Sequence, residues 1–131
     1  MAWVETARNG VWVQEGMRFP KVYKEEDKKQ YFYLCFLEDR NTGTVWLKCG
    51  VTCNIEARMT AHQRRYGIVR LFWISPVFSK YTAGKVEDEF KDFGKNHLNW
   101  EWVRQDRFIL PDEVVEVEVK VRKTYTIPVY R

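Results

Sequence analysis

The sequence has no run approaching the ~20 consecutive apolar residues of a membrane span, and Met1-Ala2-Trp3-Val4-Glu5 does not open like a signal peptide. These two absences lead us to expect a soluble, cytoplasmic protein with no membrane contact. Cysteine is scarce. Cys35, Cys49 and Cys53 are an odd number, which argues against a disulfide framework, and Cys49-Gly50-Val51-Thr52-Cys53 lacks the two-residue gap of a zinc knuckle. Reduced thiols in a strand and the turn after it are expected instead. The chain also lacks a Ser-His-Asp order, a phosphate-binding glycine loop and a paired metal-ligand motif. No repeat, linker or low-complexity segment interrupts it.

Aromatic residues are plentiful, at 16% with six Trp, and apolar residues make up 45% of the 131 positions. That composition suits one folded domain able to bury a core. The net charge of +4, from 22 basic and 18 acidic residues, is compatible with a polyanionic partner but is explained as well by solvated surface.

Trp3–Glu5 and Val11–Gln14, joined through Arg8-Asn9-Gly10, read as a hairpin with an Asn-Gly turn. The charged stretch Lys24 to Gln30 separates this N-terminal addition (1–30) from a core (31–110), and 111–131 reads as C-terminal strands packed on the same domain. Tyr31 to Leu37 is an apolar, aromatic strand, followed by the turn signal Asp39-Arg40-Asn41-Thr42-Gly43 and a second strand, Thr44 to Cys49. Asn54 caps a helix running to about Tyr66 and ended by Gly67. At about 100° per residue, Ile55, Met59, His62 and Tyr66 share its buried stripe, with Arg58 at the stripe's edge one turn before His62. A strand over 68–77 and a second helix over about 80–93 follow. That helix buries Ala83, Val86, Phe90 and Phe93, and Glu87 and Glu89 border the stripe on opposite sides. Asn96 to Trp102 reads as an irregular segment, and the Val/charge alternation of Val115 to Val121 as a strand that Thr124 to Tyr130 pairs with. The expected fold is α+β: a central antiparallel three-stranded sheet flanked by helices, with extra terminal β-strands.

The arrangement of hairpin, glycine and helix carries the chemical signal. Gly50 directly follows a strand, and the helix beginning four residues later presents Arg58 and His62 four residues apart. Here the sequence resembles the GIY-YIG nuclease superfamily over about Tyr31 to Leu110. Tyr31-Phe32-Tyr33 stands in the place of Gly-Ile-Tyr, and Lys48-Cys49-Gly50 in the place of Tyr-Ile-Gly. Arg58 and His62 follow at the family's spacings, and Glu87 matches the second-helix glutamate. Lys48 stands where the second tyrosine is usual, which is most like a phage-type branch reading Lys-Ile-Gly. Asp106-Arg107-Phe108 is similar, loosely, to that branch's C-terminal aromatic step.

The resemblance implies a metal-dependent DNA endonuclease. Glu87 would hold one divalent ion, Mg²⁺ or Mn²⁺, against a phosphodiester oxygen. Arg58 would neutralise the charge that builds on phosphorus. Tyr33, or Lys48 if it loses its proton, would position or deprotonate the water. His62 would orient Arg58 or contact the phosphate. Arg64, Arg65 and Arg70 are candidate contacts to the backbone of double-stranded DNA, although cations at a helix end also suit its dipole. Asn96 and Asn99 are candidate substrate contacts or loop caps. The implied source is a phage, a mobile element or a repair or restriction system. The alternative is a non-catalytic module on the same scaffold, binding nucleic acid or blocking another protein. The sequence gives no oligomeric state.

Overall fold

The computed structural model describes residues 3–43, 45–97, 101–104, 107–109, 115–119 and 123–127; Trp46, 93–97 and everything after 100 are described by backbone alone. Strands β1 (Trp3–Glu5) and β2 (Val11–Gln14) form the expected N-terminal hairpin around Gly10, which takes the left-handed φ of 87° that the turn requires. Strands β3 (Lys29–Asp39) and β4 (Val45–Thr52) form the second hairpin, with Tyr33 directly opposite Gly50 and Cys35 opposite Lys48. Helix α1 (Ile55–Tyr66) starts where Asn54 accepts a hydrogen bond from the Ala57 amide, and Gly67 closes it at φ 124°. Strand β5 (Gly67–Ile74) returns antiparallel to β3 on the side away from β4. The short strand β6 (Phe78–Ser79) pairs with the start of β3 and leads into α2 (Lys80–His97).

The protein is α+β, but the sheet is larger than three strands and is not wholly antiparallel. β2 lies parallel to β5, with Val11 opposite Val69, so the N-terminal hairpin extends the sheet on that side. On the other side β4 is joined by β8 (Arg107–Ile109) and then β7 (Glu101–Arg104), giving the order β1-β2-β5-β3-β4-β8-β7. β9 (Val115–Val119) and β10 (Lys123–Ile127) form a separate antiparallel pair, and β9 lies against α2. Helix α2 also runs past the expected stop at Gly94, so Asn96 is helical and not in a loop; Asn99 and Asp106 lie outside the described residues.

Strand alternation sorts the core into two layers. Tyr31, Tyr33, Cys35 and Leu37 face α1 and pack with Ile55, Met59, Val11, Val13, Val69 and Leu71. Phe32, Leu34 and Phe36 face α2 and pack with Leu47, Cys49, Phe72, Val86 and Phe90. β3 is buried on both faces, which is why its sequence reads as a continuous apolar run. All three cysteines are free. No helix among the described residues is long and apolar enough to cross a membrane.

Candidate active site

Tyr33 is fully buried, and its hydroxyl lies 2.8 Å from His62 Nε2. The stripe of α1 that holds Ile55 and Met59 against the sheet brings His62 down onto that hydroxyl, with the two rings 6.0 Å apart. Tyr66, one turn further along, continues the aromatic line at 6.3 Å from His62. Burial pushes the Tyr33 hydroxyl well above the usual phenol range, with the Cys35 thiol beneath it adding to the rise. The guanidinium of Arg58, close enough to act on the same hydroxyl, pulls the other way. Arg58 is itself exposed, so it presents one side to Tyr33 and the other to solvent. Tyr33, Arg58 and His62 are therefore one group.

Opposite Tyr33, Gly50 leaves room for the ring. A β-carbon placed there would come within 2.5 Å of the Tyr33 hydroxyl oxygen. The glycine is needed for this close approach and not for a special backbone angle.

Lys48 is 7% exposed and pairs across the strands with Cys35, which puts it on the α1 side of the sheet. Burial lowers its pKa from 10.5 to about 8; Cys35, Cys49 and Glu87 oppose that fall, and Arg58 adds to it. Burial raises both thiols, Cys49 to about 12, so they are uncharged near neutrality. Glu87 is then the anion among the groups acting on Lys48. It belongs to α2, on the other face of the sheet, and acts on both Lys48 and Cys49 from there. Lys48 is within electrostatic reach of both Arg58, on the α1 side, and Glu87, on α2 across the sheet.

Two features near these residues had no counterpart in the sequence reading. Glu87 Oε1 is 3.7 Å from Lys91 Nζ, one turn along α2. The i, i+4 spacing was the signal that could have found this pair. Beyond Arg58, the thiol of Cys53 lies 3.6 Å from Glu25 Oε1, and both Glu25 and Arg58 act on it. That contact spans 28 residues, and no local pattern announces it.

The three arginines proposed for nucleic acid separate. Arg65 shares the helix edge of Arg58 and stacks its guanidinium over Tyr66 at 5.4 Å. Arg64 lies on the outward face of α1, where it lines a groove of about 390 Å³ with Arg8, Asn54, Thr60 and Ala61. Arg70 is partly buried on β5 and forms a 3.6 Å ion pair with Glu38, so its charge is directed at a neighbouring strand. Arg64 and Arg70 do not join the Tyr33 group.

No set of three or more His, Cys, Asp or Glu side chains gathers into a metal cluster among the described residues. A single hard carboxylate such as Glu87 still fits Mg²⁺ or Mn²⁺, which keep several waters and take one or two carboxylates together with substrate phosphate. Comparison with known proteins gave no match to any protein-family model, curated protein or solved structure.

Proposed function

We propose that the chain is a metal-dependent endonuclease that hydrolyses DNA phosphodiester bonds at a GIY-YIG-like site. The observation that carries this reading is the connection of the residues at one end of β3 and β4. Tyr33 is bonded to His62 and acted on by Arg58, while Lys48 is within electrostatic reach of both Arg58 and Glu87. The mutual order of β5, β3 and β4, with α1 between β4 and β5 and α2 after β5, also supports it. The β1–β2 hairpin and the strands beyond β4 are then additions around that three-stranded centre.

In this reading Glu87 would hold a divalent ion, which would supply positive charge to the substrate phosphate. The chain's own groups do the rest. Arg58, with one side facing solvent, receives the phosphate and stabilises its developing negative charge. His62 fixes the Tyr33 hydroxyl and so sets how close Arg58 sits. Lys48, with a pKa near 8, is deprotonated in an appreciable fraction of molecules at neutral pH and can accept a proton from the attacking water. Tyr33, pushed to higher pKa by burial, keeps its proton and positions rather than deprotonates.

One observation favours the second reading, a non-catalytic binding module on the same scaffold: Glu87 is already engaged by Lys91. A plasmid-nicking assay in Mg²⁺ and in Mn²⁺ separates the two. The nuclease reading expects metal-dependent cutting by the wild type, lost in Glu87→Gln and reduced by at least 100-fold in Arg58→Ala, in line with the ~3–4 kcal/mol typical of such contacts. No cutting in either metal, with DNA still bound, would leave the binding module.

A further inference from the structure

We infer that the N-terminal hairpin, the segment after it and the outward face of α1 form a docking groove for an acidic peptide segment of a partner protein. Its carboxylates meet Arg8, Arg18 and Arg64, and one apolar side chain seats beside Met17 and Phe19. None of these residues belongs to the Tyr33 group, and the inference does not depend on the nuclease reading.

The groove has two halves that share Arg8 and Glu56. One, of about 390 Å³, is lined by Ala57, Ala61 and Arg64 of α1 and by Val22. The other, of about 380 Å³, opens over Val13, Met17 and Phe19, with Arg18 in its lining.

Its walls are fixed by the fold. Thr6 Oγ1 accepts from the Arg8 amide at 3.2 Å and the Arg8 carbonyl accepts from the Val11 amide at 3.0 Å, which sets the turn that carries Arg8. The Met17 amide donates to the Gln14 carbonyl at 2.9 Å around Gly16, whose φ is 85°. Beyond that turn Met17 and Phe19 pack, half-buried, on the core layer of Val13 and Ile55. A preformed groove spares its occupant the cost of ordering these walls.

Charge and chemistry select the occupant. Three arginines and one acid, Glu56, line the two halves, and all four side chains are exposed. Among the described residues, neither the three guanidinium groups nor the Glu56 carboxylate makes an ion pair or a side-chain hydrogen bond. A guanidinium fork matches a carboxylate with two parallel hydrogen bonds. The Glu56 carboxylate repels a phosphate backbone but accepts from the amides of a peptide. The half over Met17 and Phe19 is mainly apolar. A sugar–phosphate chain has nothing to bury there, whereas a Leu or Phe of a peptide does. Arginine, methionine and aromatic side chains without lysine are also the mixture typical of protein–protein contacts, and no lysine lines either half among the described residues.

The test titrates the isotope-labelled full chain with a synthetic, end-blocked peptide, Gly-Asp-Glu-Leu-Glu-Asp-Gly, and follows the amide NMR spectrum. Shifts are expected at Ala7, Arg8, Phe19, Ala57 and Ala61, and not along α2. Arg8→Gln/Arg64→Gln should weaken binding by about 10-fold, as the loss of two exposed ion pairs. Lys85→Gln, on α2, should leave it unchanged. Replacing the peptide's Leu by Ser should weaken binding by about 10-fold. If the double arginine variant fails to fold, the same peptide with Asn and Gln for its acids, added to the wild type, gives the comparison and should bind as weakly. No shift at the groove amides in millimolar peptide overturns the groove, and so does equal binding of the neutral peptide. A short DNA duplex in EDTA that moves these amides where the peptide does not would overturn it in favour of nucleic acid. Plasmid cutting plays no part in these outcomes, so the groove and the nuclease reading fail separately.

Discussion

Gly50 lies directly across the β3–β4 pair from Tyr33, and the space a side chain would take at Gly50 is filled by the Tyr33 phenol. The glycine and the tyrosine therefore behave as one unit: the ring can keep its place, with its hydroxyl on His62, only while position 50 has no β-carbon. This gives a physical reason for a glycine at the end of β4 in a position where its backbone makes no unusual demand.

The first prediction follows from that contact. In Gly50→Ala the new methyl would meet the Tyr33 hydroxyl oxygen at 2.5 Å and the ring carbon bearing it at 2.7 Å. Because Tyr33 is fully buried, it can move only by displacing its neighbours. Overpacking of this kind costs about 1–3 kcal/mol. Urea unfolding should register that loss, and the Gly50→Ala/Tyr33→Leu double variant should lose less than the two single changes added together. Additive losses would mean that the two positions do not share space.

The second concerns the Tyr33 hydroxyl. Tyr33→Phe removes a hydrogen bond to His62 while leaving the ring in place, and should cost about 1 kcal/mol of stability. His62→Leu in the Tyr33→Phe background should add little further loss from this bond. In the nicking assay, Tyr33→Phe should lower turnover by 10- to 100-fold without changing its pH profile, since Tyr33 holds its proton throughout. A shifted pH profile would instead mark Tyr33 as the base.

How far the sequence could be read depended on range. The ends of α1 were legible because Asn54 and Gly67 are local capping signals, and β1 with β2 because Asn9-Gly10 is a local turn. The burial of β3 on both faces was legible from its unbroken apolar run. The parallel pairing of Val11 with Val69 and the addition of β8 beyond β4 were not, since each joins segments separated by a helix or more and leaves no local mark. The passage of α2 through Gly94 shows tertiary context overriding a weak stop signal. In the site, helical spacing put Arg58 and His62 on one edge, yet it could not tell Arg65, on that edge, from Arg64, facing away. Arg70 was read as available because its partner, Glu38, sits diagonally across the β3–β5 register, which only the pairing reveals.

The third prediction addresses metal. Lys91 Nζ lies 3.7 Å from Glu87 Oε1, and on the nuclease reading it would compete with a divalent ion for the same carboxylate. Lys91→Gln should therefore lower the Mg²⁺ or Mn²⁺ concentration needed for half-maximal cutting, by up to roughly 5-fold if the pair is worth up to ~1 kcal/mol. Stability should change little, since the pair is partly exposed to water. A higher metal requirement in this variant would argue that Lys91 helps hold the substrate phosphate instead.

The fourth turns on the charge of Lys48. Its pKa is about 8 in the folded protein against an ordinary 10.5, so the folded state gives up this proton more readily than the unfolded chain. Below pH 8 the ammonium is present in both states, and confining it in the fold costs about 3 kcal/mol. Between pH 8 and 10.5 the folded state sheds the proton while the unfolded chain keeps it, so on this group's account stability rises with pH and the cost fades. The buried thiols and Tyr33 act oppositely at high pH, because their raised pKa values make the folded state hold protons that the unfolded chain has lost. Those groups are common to the wild type and Lys48→Met, so the difference between the two proteins isolates the lysine. Lys48→Met should be more stable at pH 7 by up to about 3 kcal/mol, with the gap narrowing as pH rises above 8. Wild-type cutting, if Lys48 is the base, should climb with pH and level off above about pH 8, and Lys48→Met should lose both the climb and most of the rate. A variant less stable than the wild type at pH 7 would mean that Glu87 more than offsets the burial of Lys48. The lysine would then be a structural cation, and its place as the base would pass to another group.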